Sequence, residues 1–132
     1  MDVLALHARI TRDFDRRDLG SYLEAMHPEV EFTTVAFGDE RVFRGHAGVR
    51  EWWETLTARP GYDAYSSAAT QIADDAIVIR ARIRAPNQSG GYLDAAALWL
   101  LVERNGLVWR YRPVESEAAA RDEHARGGGG SD

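Results

Sequence analysis

The sequence predicts an α+β domain in which a curved antiparallel sheet packs on three helices near the amino terminus. Two observations support this fold class: amphipathic helical patterns dominate the first half of the chain, and alternating strand patterns with a hairpin signal dominate the second half. Helices followed by antiparallel strands are typical of domains in which one sheet face covers the helices. The length of 132 residues, 45% of them hydrophobic, predicts one domain with one core.

Charge and cysteine content exclude several classes of function. The formal net charge is −5 at pH 7 and arginines are interspersed with acidic residues, which argues against a nucleic-acid-binding surface. The absence of cysteine excludes a disulfide-stabilised scaffold and thiolate chemistry. The sequence shows no basic and apolar leader and no apolar stretch long enough to cross a membrane. We therefore expect a cytoplasmic protein with no nucleic-acid partner and no membrane partner.

The first two predicted helices form a hairpin at the amino terminus. Residues 2–17 place four apolar side chains on one face of an amphipathic helix, namely Val3, Leu6, Ile10 and Phe14. Asp18 or Ser21 is a suitable N-cap for a short second helix. That helix stops at His27 and Pro28, because the residue before a proline is disfavoured in the helical conformation.

The third predicted helix carries the widest apolar stripe of the chain. Residues 38–45 are predicted to be a loop that leads into it. Four apolar side chains then recur at the i, i+3, i+4 and i+7 positions, namely Val49, Trp52, Trp53 and Leu56. Two adjacent tryptophans on a core-facing helix indicate the wall of a large core or of a pocket. Alternatively, Trp52 packs in the core and Trp53 only covers its edge.

Alternation of apolar and polar residues predicts five strands. They are placed at residues 30–34, 65–73, 77–84, 92–103 and 107–114. Asn105-Gly106, between the last two strands, is a strong hairpin signal. In the last strand, alternation predicts that Trp109, Tyr111 and Pro113 face the core.

The carboxyl terminus is predicted to lie outside the domain. Residues 1–115 contain all the elements above, and residues 116–126 form a C-terminal helix or tail. Residues 127–132 have the Gly/Ser composition of a flexible linker, and we interpret them as an added segment without a functional role.

Element order and several short motifs resemble the SnoaL-like branch of the nuclear-transport-factor-two-like superfamily over residues 1–115. The motifs are Phe43-Arg44-Gly45, Val49-Arg50-Glu51-Trp52, Asp75-Ala76-Ile77-Val78-Ile79-Arg80 and Asn105-Gly106. The resemblance implies a cone: a strongly curved antiparallel sheet wrapped around three N-terminal helices, with a pocket at the open end and often a homodimer through the outer sheet face. The superfamily includes polyketide cyclases, ketosteroid isomerase, scytalone dehydratase, limonene epoxide hydrolase and members without known activity, so fold alone does not name a reaction.

The catalytic residues of the best-known members are not found at the matching positions. Ketosteroid isomerase uses a tyrosine and two aspartates, and the resemblance aligns these positions with Ile10, Thr34 and Ala97. The acid expected in the last strand of an epoxide hydrolase aligns with Tyr111. Whether the chain is an enzyme therefore stays open.

Strand and helix parity predicts an apolar pocket lining that suits a hydrophobic small molecule. The predicted ligand-binding residues are Ile10, Phe14, Phe32, Thr34, Trp52, Trp53, Ala97, Trp99, Tyr111 and Pro113. The small side chains of Ala81 and Ala97, beside Trp52 and Trp99, suggest that space is left for a ligand. A core filled by side chains is the alternative.

Three residues are candidates for catalysis, each with a structural alternative. Tyr111 could donate a hydrogen bond to a ligand carbonyl or to a backbone carbonyl. Asp94 could act as a general base or as the solvated partner of an ion pair. His27 could act as a general base at the rim of the pocket or as a helix-capping residue. His7 and His124 are predicted on solvated faces. No histidines share metal-ligand spacing, so we expect no metal and no cofactor.

Two functions remain open on the sequence. The first is a small-molecule binder, or an enzyme of the cyclase, isomerase or dehydratase type, acting on an apolar compound in the pocket. The second is a non-catalytic module for dimerisation or partner binding.

Five arginines share the outer face of the predicted sheet, namely Arg80, Arg82, Arg84, Arg110 and Arg112. Because like charges on adjacent strands repel, we expect a homodimer through this face, with Glu31 and Asp94 compensating the arginines.

Overall fold

The computed structural model describes residues 2–34, 40–58, 63–86 and 92–127; for residues 63–65, 67, 85, 86, 92–95 and 127 it describes the backbone alone. The helices are α1 (Val3–Asp15), α2 (Leu19–Glu24), α3 (Gly45–Thr57) and α4 (Glu117–Gly127). The strands are β1 (Met26–Thr34), β2 (Arg41–Arg44), β3 (Asp63–Ala73), β4 (Ala76–Pro86), β5 (Tyr92–Arg104) and β6 (Leu107–Val114). The predicted loop at residues 87–91 and the Gly/Ser segment at 128–132 lie outside the described residues.

The predicted α+β class, with N-terminal helices on one face of a curved sheet, is confirmed. The six described strands have the order β2-β1-β6-β5-β4-β3. The sheet is mixed rather than fully antiparallel, because β1 runs parallel to β6 while every other pairing is antiparallel. Alternation along one strand reports which side chains are buried and carries no information on the direction of its neighbour.

The short strand β2 replaces part of the predicted loop before α3. Residues Arg41–Arg44 pair antiparallel with β1, and Phe43 is the only buried residue among them. Four residues with one buried side chain are too few to give a periodic signal. The turn into α3 depends on glycine, since Gly45 has φ +68° and a Cβ on Gly48 would lie 2.8 Å from the Phe43 carbonyl carbon.

The helical hairpin begins with aspartate caps. The Asp2 carboxylate accepts from the Ala5 N–H at 2.8 Å, and Asp18, rather than Ser21, caps α2 by accepting from the Ser21 N–H at 3.1 Å. Met26, just before the predicted helix stop at His27 and Pro28, is a buried residue of β1. The strand therefore starts before His27 and Pro28 rather than at residue 30.

The apolar stripes of α1 and α3 face the concave side of the sheet and form the main core. The buried members include Val3, Leu6, Ile10, Val49, Trp52, Trp53, Leu56, Phe32, Ile77, Ile79, Trp99, Leu101 and Val108. A smaller cluster lies on the outer face, where Ala120 of α4 packs on Ala76, Val78, Leu100 and Val102. Each face of the central strands is thus covered by helix.

The inward orientation predicted for Trp109 is wrong. Val102 pairs with Arg110 and Glu103 with Val108, so a one-residue bulge leaves Trp109 as the extra residue of β6. Val108 consequently turns into the main core, and Trp109 packs with the outer cluster. A single bulge reverses the parity of every residue on one side of it, which alternation alone does not reveal.

Candidate functional site

A cavity of about 100 Å³ lies between α1, α3 and the concave face of the sheet. Its lining consists of His7, Ile10, Thr11, Phe14, Asp15, Tyr22, Phe32, Thr34, Trp52, Ser66, Ile79, Ala81, Ile83, Trp99 and Tyr111. His7, Thr11, Asp15 and Ser66 also line a shallow depression on the surface. The cavity therefore reaches solvent between α1 and β3.

Aromatic rings form one continuous wall of the cavity. The Phe32 and Tyr111 rings are stacked, with centroids 4.8 Å apart and planes 5° apart. Tyr111 in turn stacks on Trp99 at 5.3 Å, and Phe32 contacts Trp52 at 4.5 Å. Rings held by their neighbours in this way present flat, fixed apolar surfaces, which suit a planar ligand.

Seven of the ten predicted ligand-binding residues line this cavity, and three do not. The seven are Ile10, Phe14, Phe32, Thr34, Trp52, Trp99 and Tyr111. Trp53 is buried behind the wall against Phe14 and Tyr22, because adjacent helical residues project about 100° apart. Ala97 and Pro113 lie in a groove at one end of the sheet, which also contains Leu98 and Val114.

The three candidate catalytic residues lie in different places. Tyr111 lines the cavity. His27 contacts Trp109 on the outer face, with ring centroids 4.7 Å apart, and its Nδ1 accepts from the Glu29 N–H at 3.0 Å. The backbone of Asp94 pairs with Arg84 in the β4–β5 ladder, and its side chain lies outside the described part of the structure.

His7 is a site residue that the sequence analysis misplaced on a solvated face. It lines the cavity, and its Nε2 lies 3.3 Å from the Thr11 hydroxyl one helical turn later. Burial lowers the pKa of His7 below its ordinary value, since the charged imidazolium loses hydration there. His7 follows Val3 by four residues and precedes Ile10 by three, so it lies on the same side of α1 as the apolar stripe. This spacing could have identified His7 as a site residue from the sequence.

The indole N–H of Trp52 is a buried hydrogen-bond donor. The side chain lines the cavity but is almost fully buried, and its Nε1 has no hydrogen-bond partner among the described residues. A buried donor without an acceptor costs about 1–3 kcal/mol. Because Nε1 itself has almost no solvent-accessible surface, this donor is not presented to the open part of the cavity.

The outer face holds a second cavity of about 280 Å³ that is lined partly by α4. Arg112 and Glu123 form an ion pair there at 3.2 Å. His124 lies 2.8 Å from the Asp75 carboxylate with 20% of its side chain exposed, so the prediction that it faces solvent is wrong. Because α4 contributes these partners, it is tied to the sheet by polar contacts as well as by Ala120.

The described residues include neither a cluster of metal ligands nor a membrane-spanning helix. Within them, no three His, Asp or Glu side chains are grouped so that they could hold a metal ion. None of the described helices is long and apolar enough to cross a membrane.

Similar folds occur in solved structures of low sequence identity. The protein RV0760c from Mycobacterium tuberculosis, in complex with estradiol-17β-hemisuccinate, is 14% identical with a TM-score of 0.70, over 88% of this chain and 95% of that one. TerC, co-crystallised with polyporic acid, is 19% identical with a TM-score of 0.68, over 90% and 95%. An NTF2-like protein of unknown function from Burkholderia pseudomallei K96243 is 17% identical with a TM-score of 0.71, over 93% and 94%. At these identities the similarity shows the fold alone.

Sequence comparison identifies the family more directly. No curated protein matches the chain. A family model described as the SnoaL-like domain matches residues 7–111, which is most of the chain. The match runs from one cavity residue, His7, to another, Tyr111. This chain is therefore a member of the SnoaL-like domain family.

Proposed function

We propose that this protein binds an apolar, aromatic small molecule in the cavity between α1 and the concave sheet face. The observation that carries the proposal is the cavity of about 100 Å³ itself, which is walled by the stacked rings of Phe32, Tyr111 and Trp99. A few polar groups in an aromatic-lined, concave site are typical of small-molecule pockets. A filled core would instead leave no such space.

Structural neighbours support a ligand of this kind. RV0760c was crystallised with a steroid derivative and TerC with polyporic acid, and both share the fold at TM-scores of 0.70 and 0.68. The dimensions of the cavity add a constraint: an engineered cavity of about 150 Å³ accommodates benzene, so a cavity of about 100 Å³ holds no more than one ring. A larger ligand would extend past His7 and Ser66 into the surface depression.

Micromolar affinity is the expected range. Burial of about 200 Å² of ligand apolar surface contributes on the order of 5 kcal/mol before the cost of association. The lining also includes polar side chains that can add hydrogen bonds, among them His7, Thr11, Asp15, Thr34, Ser66 and Tyr111. An enzyme of the cyclase, isomerase or dehydratase type would also need groups that move protons, and His7, Asp15 and Tyr111 are cavity residues of the types suited to that task.

A cavity-filling variant with a matched control tests the binding proposal. Ala81 lines the cavity, whereas Ala68 is an exposed residue of β3 that does not. We expect estradiol, 1,4-naphthoquinone or limonene to change the tryptophan emission with a micromolar dissociation constant. Ala81→Leu should weaken that binding at least about tenfold because the added side chain occupies the ligand volume, whereas Ala68→Leu should leave it unchanged. Binding that survives Ala81→Leu, or failure of all three compounds to bind, would contradict the proposal.

We also propose that the protein forms a homodimer through the outer sheet face. A groove there combines half-buried Leu98 and Val114 with exposed Arg80, Arg82 and Glu115, and a two-fold axis would bring opposite charges together around an apolar centre. Glu31 was expected to balance the charge of the outer-face arginines, but it forms an ion pair with Arg44 of the same chain at 3.0 Å. Because α4 covers part of this face, the groove is the part open to a second copy.

Sedimentation equilibrium at micromolar concentration tests the dimer. The unmodified chain should sediment as a dimer, and Leu98→Asp should convert it to a folded monomer by placing a charge in the apolar centre. Val42→Asp, at an exposed apolar residue of β2, is the matched control and should remain dimeric. A monomeric unmodified chain would rule out the dimer and leave the pocket proposal unaffected.

A further inference from the structure

The second cavity, on the outer sheet face, combines an apolar floor with arginine side chains. This outer cavity has a volume of about 280 Å³, and its floor includes Leu100 and Val102, two buried residues of β5. Arg110 and Arg112 of β6 line the same space. Among the described residues, no lining residue is shared with the cavity between α1 and the concave face, so the two cavities are separate sites.

Strand register brings the polar groups of the outer cavity together. Phe32 of β1 pairs with Tyr111 of β6, and both rings line the cavity on the concave face. Successive strand residues point to opposite faces, so the next residues of the two strands, Thr33 and Arg112, project from the outer face. Arg110, which precedes Tyr111, projects from that face as well. Two guanidinium groups and a hydroxyl group therefore reach one cavity from neighbouring strands.

Four acidic side chains also line the outer cavity, and each has a partner in the described part of the chain. The pairs are Glu31 with Arg44 at 3.0 Å, Asp75 with His124 at 2.8 Å, Glu103 with the Gly106 N–H at 3.0 Å, and Glu123 with Arg112 at 3.2 Å. A carboxylate that already has a partner compensates a further cation less well. The acidic side chains of the lining are thus engaged by groups other than Arg110.

Arg110 is an arginine of this cavity without a carboxylate partner. No hydrogen bond or ion pair joins its guanidinium to the described residues, and the centroid of the Trp109 ring lies 5.9 Å from its Cζ. The Nε atom is buried, whereas the two terminal nitrogens keep accessible surface. Because Arg110 lines the cavity, these terminal N–H groups are the donors that a ligand there can reach. A guanidinium can offer two parallel N–H groups to one carboxylate.

The Thr33 hydroxyl is a second polar group that lacks a partner. The residue lines the outer cavity and is only 7% exposed. Its hydroxyl makes no hydrogen bond within the residues that the structure describes, but the oxygen keeps some accessible surface. Since the rest of the side chain is buried, that surface opens into the cavity. Buried hydroxyl groups in proteins are normally hydrogen-bonded, so this one indicates a place for a ligand acceptor.

We propose that the outer cavity binds a small organic carboxylate. Its anionic group accepts hydrogen bonds from Arg110 and the Thr33 hydroxyl, and its apolar part lies on Leu100 and Val102. A cavity of about 150 Å³ accommodates benzene, so a cavity of about 280 Å³ has room for one ring that carries a carboxylate. This site goes beyond the proposed function, because it lies on the other face of the sheet and can be present or absent independently.

Benzoate and three comparison compounds, titrated at constant ionic strength, test the ligand class. Benzamide keeps the shape without the charge, acetate keeps the carboxylate without the ring, and inorganic phosphate is an anion without an apolar part. Calorimetry gives the dissociation constants. The indole N–H signals of a ¹⁵N–¹H spectrum, assigned by their loss in Trp→Phe variants, report the location: Trp109 lines the outer cavity, whereas Trp52 and Trp99 line the other one.

We expect benzoate to bind at least about tenfold more tightly than each comparison compound. A hydrogen bond between two charged groups contributes more than one to a neutral acceptor, and the ring adds contact with the apolar floor. Benzoate should move the Trp109 signal and leave the Trp52 and Trp99 signals in place. Added salt should weaken its binding, because the attraction to Arg110 is electrostatic.

Paired variants assign the contacts to their residues. Arg110→Gln should weaken benzoate binding at least about tenfold, whereas Arg50→Gln, which removes the same charge from an exposed position of α3, should leave it unchanged. Thr33→Val removes only the hydroxyl and should weaken binding about fivefold. Thr70→Val, at an exposed position of β3, is the matched control and should have no effect.

The outcomes separate this inference from the proposed function. If benzamide binds as tightly as benzoate, or if Arg110→Gln leaves benzoate binding unchanged, the carboxylate site is absent. Equal binding of acetate or phosphate would contradict the organic ligand class. A shift of the Trp52 or Trp99 signal in place of the Trp109 signal would overturn the inference and leave the pocket proposal standing. Should Arg110→Gln or Thr33→Val not fold, the comparison of benzoate with benzamide on the unmodified protein decides.

Discussion

Burial of His7 in the fold lowers the proton affinity of its side chain. Its imidazole lines the cavity beside Thr11, with Asp15 at the same mouth, and burial lowers its pKa below the ordinary value of about 6.5. In the unfolded chain His7 binds a proton as the pH falls through 6.5, whereas in the folded chain it does so only at lower pH. Stability that is fully present above pH 6.5 is therefore lost progressively as the pH falls toward the folded-state pKa.

Unfolding experiments at a series of pH values test whether stability falls as the pH is lowered. We expect the free energy of unfolding of the unmodified chain to fall between pH 7 and pH 5 more steeply than that of His7→Gln, which cannot titrate there. Urea denaturation at each pH gives the values. His27→Gln is the control, because it removes a histidine of the outer face and should keep the steeper profile. Parallel profiles for the unmodified chain and His7→Gln would contradict the lowered pKa.

At the scale of elements, a buried carboxylate joins α1 to α2. Asp13 is 3% exposed, and it accepts from the Ser21 hydroxyl at 2.7 Å and lies 3.6 Å from the Arg9 guanidinium. The hairpin held in this way supports the α1 wall of the cavity, which includes Ile10 and Phe14. Loss of a donor to a buried carboxylate leaves that charge under-solvated.

Ser21→Ala should therefore lower the free energy of unfolding by about 1–3 kcal/mol. Thr55→Val is a matched hydroxyl deletion at an exposed helical site, where the hydroxyl donates to the Glu51 carbonyl, and it should change stability by less than about 0.5 kcal/mol. Chemical denaturation of the two variants provides the measurement. Equal effects would mean that the Asp13–Ser21 contact does not stabilise the hairpin.

The C-terminal helix is the second element with a testable role. We propose that residues 1–115 form the folding and binding unit and that α4 only stabilises it from the outer face. Deletion of residues 116–132 removes Ala120 and Glu123 and exposes the outer apolar cluster. The expected cost is about 1–3 kcal/mol of stability, from lost apolar burial and weak surface ion pairs.

Measurements of ligand binding distinguish a stabilising role of α4 from a direct role in shaping the pocket. No described residue of α4 lines the cavity, so the truncated chain should bind the same compounds with unchanged dissociation constants. A shorter deletion of residues 128–132 is the control and should change neither stability nor binding. Loss of binding in the longer truncation at a temperature where it stays folded would show that α4 shapes the pocket.

At the scale of the whole molecule, ligand binding should raise the thermal midpoint. A ligand present at one hundred times its dissociation constant stabilises the folded state by about 2.7 kcal/mol. For a chain of 132 residues this corresponds to a shift of about 10 °C. Calorimetry with whichever of the three test compounds binds most tightly gives the value. A change in tryptophan emission without any shift of the midpoint would indicate surface association rather than occupation of the cavity.

The sequence by itself determined the features that depend on local periodicity. A helix repeats every 3.6 residues and a strand every 2, so the stripes of α1 and α3 and the inward side chains of β1 and β5 could be predicted from single segments. These predictions were sufficient for the α+β class and for seven cavity residues, among them Phe32, Trp52 and Tyr111. The resemblance in element order also led to the correct family.

Only the tertiary structure decided the features that depend on how segments meet. The parallel β1–β6 pairing and the bulge at Trp109 arise from strand register, which one strand does not encode. Of two adjacent tryptophans, Trp52 lines the cavity and Trp53 packs behind it, because α3 is rotated against its neighbours. The lowered pKa of His7 and the unpaired Trp52 N–H exist only once surrounding elements exclude water, since desolvation is a property of the assembled fold rather than of a residue.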